Sequence, residues 1–307
     1  MRRLFLLFLL SISRLAAQSA ACPTREVTVD VRQRNASEPI AGLVPADFLI
    51  SGRGVVAGPP QSIATRLPAD IVVLIEDRTR GGFLAGAAAL FVKSLMPEDR
   101  VSVMTYGVST KRQLAWSRDE DKIRLAIEKG ADGMHLQVAR PFYGVVDALK
   151  LFGKPVPGRQ RSIFMLGDNL DRGSQIRTEQ LAANLIDERV ILDLAIDPAP
   201  SRKIPRVNLP PPTLSNQTPG YIPPPVGEQS VEALAQSSGG VADKFLEASY
   251  LRDMRERLKG RLTLTYCVQG KQTDHGPSVE LSPGAKQKYD DVELRTPGID
   301  LKRQKDQ

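Results

Sequence analysis

Ile71-Val72-Val73-Leu74-Ile75 is a continuous apolar run in which four of the five side chains are β-branched. Strands that are covered on both faces, as in parallel sheets, have this composition. The run is preceded by Asp70 and followed by Glu76 and Asp77, and a helical pattern over residues 83–95 comes next. The stretch therefore predicts the central strand of an α/β sheet.

Similar apolar strands alternate with helical patterns on the C-terminal side of this run. We predict strands at residues 100–106, 162–166 and 190–196, and a short edge strand at 113–116. The intervening helices are predicted at residues 119–129, 145–152 and 178–187, and two more at 228–236 and 248–259. Strands that alternate with helices indicate a doubly wound, mostly parallel sheet with helices on both faces.

The segments that flank this α/β region have β character. Residues 25–32 alternate polar and apolar side chains, which is the period of a half-buried strand. Residues 48–50, 261–268, 278–281 and 291–295 are also predicted strands. We expect an N-terminal β segment (22–66), an α/β domain (67–260) and a C-terminal β segment (261–300), with the two β segments pairing into one small unit.

A proline-rich stretch and a basic tail interrupt or follow these domains. Residues 198–226 contain ten of the 23 prolines and few apolar side chains, so an extended, polyproline-like loop is expected there. An exposed loop and a ligand for a partner are both open interpretations. Residues 301–307 form a short basic tail.

The first 21 residues have the pattern of a secretory signal peptide. Met1-Arg2-Arg3 is followed by an apolar run over residues 4–10 and by the small residues Ser19-Ala20-Ala21. The apolar run is shorter than the roughly 20 residues that span a bilayer. We expect cleavage after Ala21 and a secreted or periplasmic protein with no transmembrane segment in the mature chain; an uncleaved anchor is the alternative.

Cys22 and Cys267 are the only cysteines. In an oxidising compartment such a pair can form a disulfide. Cys22 would also be the first mature residue, where acylation would attach a lipid anchor. Because each outcome uses the same thiol, the two alternatives exclude each other in one molecule.

The charge distribution argues against a nucleic-acid partner. The formal net charge is +7, and removing residues 1–21, which hold three arginines and no acid, lowers it to +4. The excess is not gathered into a basic stripe with interleaved aromatic residues. We therefore expect no nucleic-acid partner.

Three predicted loops follow the carboxyl ends of the strands, where open α/β sheets bind ligands. They are residues 76–80, 140–143 and 167–171. This order of elements resembles the von Willebrand factor type A family. More narrowly, it is similar to the secreted acidobacterial proteins related to that family, in which a Gly-Leu-x-x-x-Asp-Phe phrase precedes the domain, as Gly42 to Phe48 does here. Residues 231–235 with Gly239-Gly240, and residues 262–266, resemble the last helix and the returning strand of that family.

The resemblance implies a cation site that this sequence only partly retains. The family holds a divalent cation through Asp-x-Ser-x-Ser, a Thr and a later Asp. The retained metal ligands would be Asp77, Thr79 and Asp168, whereas Gly81 or Arg80 stands in place of the second Ser and Tyr143 in place of the Thr. We expect no cofactor, or a weakly held Mg²⁺.

Arginines next to these carboxylates offer two further interpretations. Asp77 and Asp168 can pair internally with Arg78 or Arg80, or the arginines can replace the cation and receive an acidic partner group. The residues expected to contact a protein partner are Glu76, Arg78, Arg80, Tyr143 and Asp171.

Enzymatic motifs are sparse. His135 and His275 are the only histidines, and neither has metal-ligand spacing around it. The sequence has no Gly-x-Ser-x-Gly elbow and no phosphate-binding Gly-x-x-x-x-Gly-Lys loop. We expect a binding or scaffold module with a degenerate metal site rather than an enzyme, with a cell-envelope hydrolase as the alternative.

Overall fold

A computed structural model describes residues 22–34, 39–77, 81–107, 109–131, 139–197, 227–244, 247–269, 276–289 and 291–298. The signal-peptide, proline-rich-loop and basic-tail predictions lie outside these residues, as do both histidines and residues 78–80. None of the described helices is long and apolar enough to cross a membrane.

Strands and helices alternate through the middle of the described chain. The strands are β1 (Thr24–Gln33), β2 (Phe48–Ser51), β3 (Ser62–Ala64), β4 (Ala69–Glu76), β5 (Arg100–Tyr106), β6 (Thr110–Ser117), β7 (Gln160–Gly167), β8 (Leu170–Asp171), β9 (Ile191–Ile196), β10 (Gln229–Ser230), β11 (Ala242–Lys244), β12 (Leu262–Cys267), β13 (Ser278–Leu281) and β14 (Val292–Arg295). The α-helices are α1 (Gly81–Ser94), α2 (Glu120–Glu128), α3 (Pro141–Leu149), α4 (Thr178–Asp187), α5 (Val231–Ser237), α6 (Tyr250–Gly260) and α7 (Pro283–Lys288).

The main sheet has six strands in the order β11-β9-β7-β4-β5-β6. All neighbours are parallel except β6, which is antiparallel at one edge. Every residue of β4 and β7 is buried. Alternate β4 side chains pack on opposite sides, Ile71 with α1, α2 and α6, and Val72 with α3, α4 and α5. The predicted doubly wound α/β fold is thereby confirmed.

Helix boundaries differ from prediction where local hydrogen bonds decide the first turn. Helix α3 begins at Pro141 rather than at 145, because proline suits the first helical position and the Phe142 N–H finds an acceptor in Asp171, at 2.9 Å. Helix α5 begins at Val231 rather than at 228, because Gln229 and Ser230 pair with β8 and the Ser230 hydroxyl accepts the Ala233 N–H. Helix α4 matches its prediction.

The N- and C-terminal β segments pair with each other, as predicted. Strands β14-β1-β12-β3 form one sheet, and β13-β2 form a second. Their apolar side chains share a separate core that includes Val29, Phe48 and Leu264. Cys22 and Cys267 are joined by a disulfide at the end of the β1–β12 pair, with their Cα atoms 5.6 Å apart.

Two fully buried ion pairs connect α6 and the following residue to the residue before β5 and to β9. Arg255 in α6 binds Asp99 through two hydrogen bonds of 2.8 and 3.0 Å. Arg261, between α6 and β12, binds Asp193 in β9 through bonds of 2.7 and 2.9 Å. Because β12 belongs to the smaller β unit, the second pair fixes that unit to the α/β domain.

Asp70 should give the protein part of its acid sensitivity. Burial alone would raise the pKa of Asp70, but hydrogen bonds from Arg100 and Arg159 outweigh this effect and hold the pKa below its ordinary value of 3.8. A carboxyl with a lowered folded-state pKa stabilises the protein above the unfolded-state pKa, and this contribution is lost as pH falls through the folded value.

We expect Asp70→Asn to cost about 1–2 kcal/mol of unfolding free energy at pH 7. The difference from the unmodified protein should shrink as pH falls below the ordinary aspartate pKa, and urea unfolding between pH 7 and pH 2 measures it. A difference that stays constant over this range would contradict the assignment.

Candidate functional site

The carboxyl ends of β4, β5 and β7 bring the three predicted loops together. The Arg140 N–H donates to the Gly107 carbonyl at 2.9 Å, which places the start of α3 beside the end of β5. The Asp168 N–H donates to Oε2 of Glu76 at 2.8 Å, which links the ends of β7 and β4. The site therefore lies at the sheet edge where α/β proteins bind ligands.

Glu76 is a buried support of this edge. It is the last residue of β4 and only 4% exposed. The neighbouring Gly167 has φ +156°, and a Cβ there would collide with the Tyr106 hydroxyl and the Glu76 carboxylate. The Glu76 carboxylate therefore positions Asp168 from within the protein. The expected contact of Glu76 with a partner stays a prediction.

Asp77 lies at the turn that follows β4. Its N–H donates to the Tyr106 carbonyl at 2.9 Å. Its side chain lies against Gly107, where any Cβ would overlap the carboxylate. The next three residues of the predicted site, Arg78, Thr79 and Arg80, lie outside the described residues.

Asp168 is paired with an arginine that the sequence analysis did not single out. Oδ2 of Asp168 lies 3.5 Å from Arg172, and Arg172 also donates to Glu228 at 3.0 Å. The Asp168 side chain is 24% exposed. The i, i+4 spacing of Asp168 and Arg172 indicates contact only in a helix, and these two residues lie outside one.

Asp171 organises the loop beneath the site. It is fully buried, and its two oxygens accept four hydrogen bonds, from the N–H groups of Phe142, Gly173 and Ser174 and from the Ser174 hydroxyl. Its expected contact with a partner stays a prediction. Asp171 joins the start of α3 to the 171–174 turn and acts from within the protein.

Asp171→Ala should lower the unfolding free energy by about 3 kcal/mol, because it leaves buried N–H groups without an acceptor. The rate of hydrogen exchange should also increase at the amides of Phe142 and Ser174. At the amides of β9, the rate should increase only as far as the lower global stability requires. Chemical denaturation combined with amide exchange measures both. A loss below about 0.5 kcal/mol would show that the carboxylate does not hold this loop.

Tyr143 and Arg140 form the more accessible part of the edge. The Tyr143 hydroxyl accepts the Gln175 N–H at 3.4 Å, and the ring is half-buried. The exposed Arg140 guanidinium lies 5.9 Å from the centre of that ring. Residue 140 lies in one of the three predicted loops but was not predicted as a site residue.

Three acidic side chains of this edge already have partners among the described residues. Mg²⁺ requires a near-octahedral array of oxygen ligands. Asp168 is already ion-paired, and Glu76 and Asp171 accept N–H groups. Over the part of the chain that the structure describes, no three His, Cys, Asp or Glu side chains are grouped so as to hold a metal ion.

No family model matches this sequence, and no curated protein matches it. Solved structures do resemble it. An aerotolerance-related membrane protein from Bacteroides fragilis is 13% identical, with 62% of this chain and 98% of that chain covered and a TM-score of 0.44. Proximal thread matrix protein 1 from mussel byssus, with a zinc-occupied MIDAS motif, is 12% identical, with 68% and 50% covered and a TM-score of 0.45.

A von Willebrand factor type A structure from Catenulispora acidiphila is 12% identical. The match covers 78% of this chain and 50% of that chain, with a TM-score of 0.41. Likenesses at this level concern the fold alone. The narrower resemblance to secreted acidobacterial proteins stays a prediction.

Proposed function

We propose that this chain is an exported von Willebrand factor A-like module that binds or scaffolds a protein at the carboxyl edge of its sheet without a divalent cation. The observation that carries the proposal is the ion pair between Asp168 and Arg172. Asp168 is one of the expected metal ligands, and this ion pair already occupies its carboxylate.

The electrostatic reason is competition for one carboxylate. Arg172 bridges Asp168 and Glu228, so its fixed positive charge is held close to the position that a cation would need. A divalent ion would have to displace this arginine and still find further oxygen ligands. The same arginine stabilises the edge in the absence of metal.

The shape of the edge favours a protein partner over a small substrate. Two cavities of the described residues, of about 470 and 230 Å³, are lined by other residues. The candidate residues Arg140, Tyr143 and Asp168 instead lie on a rim that is exposed or half-exposed. A rim of this kind suits contact with another protein.

Export is supported by the pattern of residues 1–21 and by the disulfide. Disulfides persist in oxidising compartments, and Cys22 is joined to Cys267. We place the protein outside the cytoplasm, secreted or periplasmic. We do not adopt a lipid anchor at Cys22, since acylation would need the thiol that the disulfide uses.

The alternative of a cell-envelope hydrolase gains no support at this edge. The hydroxyl bonded to a carboxylate there, Ser174 on Asp171, is fully buried. Histidine is the side chain that most often acts as a general base, and both histidines lie outside the described residues.

The proposal is tested by capture from the secreted and envelope fractions of the source organism on immobilised protein, once with Mg²⁺ and once with EDTA. We expect the same protein to be retained in both conditions and to be lost with Tyr143→Ala. Leu125→Ser, at an exposed position on α2, is the control and should retain it. Retention that requires Mg²⁺, or that ignores Tyr143→Ala, would contradict the proposal.

A further inference from the structure

We propose that Arg140 is the receptor for a carboxylate of the partner, an Asp or Glu side chain in an acidic peptide segment. This inference rests on the proposed function, because it names the chemistry of the partner at the same edge. It differs from the sequence interpretation, which gave that role to Arg78 and Arg80.

The backbone of Arg140 is fixed on both sides. Its N–H donates to the Gly107 carbonyl at 2.9 Å, and its own carbonyl accepts the Gly144 N–H at 3.1 Å. The residue therefore forms the rigid junction between the end of β5 and the first turn of α3. A side chain that starts from such a junction has less freedom to lose on binding than one in a mobile loop.

The side chain is also held in place. A Cβ at Gly173 would lie 3.3 Å from both Cγ and Nε of Arg140, so the arginine lies closely over this glycine. Its guanidinium is 5.9 Å from the Tyr143 ring centre, within the range of a cation–π contact. The glycine and the ring form two walls around the charged group.

Asp171 ties these two walls together. One of its oxygens accepts the Phe142 N–H beside Tyr143, and the other accepts the Gly173 N–H. Four donors already satisfy this buried carboxylate. None of these four donors is the Arg140 guanidinium.

Within the described part of the protein, no carboxylate pairs with Arg140. There, its guanidinium has neither a hydrogen bond nor an ion pair, whereas Arg172 on the same edge contacts both Asp168 and Glu228. An exposed guanidinium held by packing rather than by a carboxylate presents a planar set of donors. Its natural complement is a carboxylate, bound through two parallel hydrogen bonds.

The test is an NMR titration of the ¹⁵N-labelled full chain without its first 21 residues, observing arginine Nε–Hε signals. The probe is the hexapeptide Ac-Gly-Asp-Glu-Asp-Glu-Gly-amide, with its Asn/Gln counterpart and inorganic phosphate as comparisons. We expect a saturable shift of the Arg140 signal with the acidic peptide only. Arg140→Gln should weaken binding by at least about tenfold, and Arg140→Lys by less.

Arg112→Gln is the matched control, because Arg112 is exposed on β6 and should not affect the titration. Binding of the acidic peptide that survives Arg140→Gln would overturn the role of Arg140. Tighter binding of phosphate would overturn the carboxylate assignment. The absence of any shift in the folded protein would overturn this inference, while the capture experiment decides separately whether the edge binds a protein.

Discussion

Arg261→Met should lower the free energy of unfolding by about 3–5 kcal/mol, the range for breaking a fully buried ion pair by removal of one partner. Arg261 and Asp193 are both 0% exposed and share two hydrogen bonds. Burial alone would lower the pKa of Arg261, but the adjacent Asp193 outweighs it and raises that pKa. Arg261 is therefore charged, and methionine would leave the buried Asp193 carboxylate without its ion-pair partner.

The position of the pair increases the effect. Asp193 also accepts the Val241 N–H at 3.0 Å, which fixes the approach to β11. Arg261 precedes β12, so its loss loosens the attachment of the smaller β unit. We expect the unfolding transition to become broader or biphasic as the two units lose cooperativity.

Guanidinium chloride unfolding followed by circular dichroism measures this prediction. Arg252→Met is the matched control, because its ion pair with Asp253 is 44% and 49% exposed and should matter by less than about 1 kcal/mol. Asp193→Leu combined with Arg261→Met should recover part of the loss by removing the unpaired charge. Equal effects of the two methionine variants would contradict the account.

Replacing both cysteines with serine should lower the free energy of unfolding by about 2–5 kcal/mol. The disulfide joins residues that are 245 positions apart, so it closes nearly the whole described chain into one loop. Such a cross-link removes many conformations from the unfolded state. Its loss should affect the β1–β12 pair first, where Thr24 lies opposite Cys267.

A reductant supplies the control for this second prediction. It should destabilise the unmodified protein by the same amount and leave the double serine variant unchanged. A thiol assay on the denatured, unreduced protein should find no free thiol, whereas acylation at Cys22 would leave Cys267 free and increase the mass. One free thiol would contradict the disulfide.

The main sheet was predictable because its central strands consist mostly of apolar residues, which is typical of strands that are buried on both faces. Residues 71–75 and 163–166 are apolar throughout, and both lie in strands that are buried on both faces. The short strands β8, β10 and β11 were missed, because two or three residues are too few to show an alternation of polar and apolar side chains. Helix α7 was also missed, because its six residues are too few for a helical pattern.

The candidate site was predictable in location but not in the roles of its residues. The order of elements placed the three loops at one edge. It did not reveal that Asp171 faces inward, although its spacing to Gly173 and Ser174 is typical of a turn in which the carboxylate accepts backbone N–H groups. Arg172 was missed because its carboxylate partners are decided by the geometry of the loop, which the sequence does not show.

We propose that the carboxyl edge works with an internal arginine in place of a cation. Calorimetric titration of the purified protein with Mg²⁺ and Mn²⁺, beside the Asp168→Ala variant, measures whether a cation binds at this edge. We predict no saturable binding heat for the unmodified protein or for Asp168→Ala, with the fold intact in each. Saturable binding to the unmodified protein that disappears in Asp168→Ala would contradict the claim and make metal-dependent adhesion the mechanism.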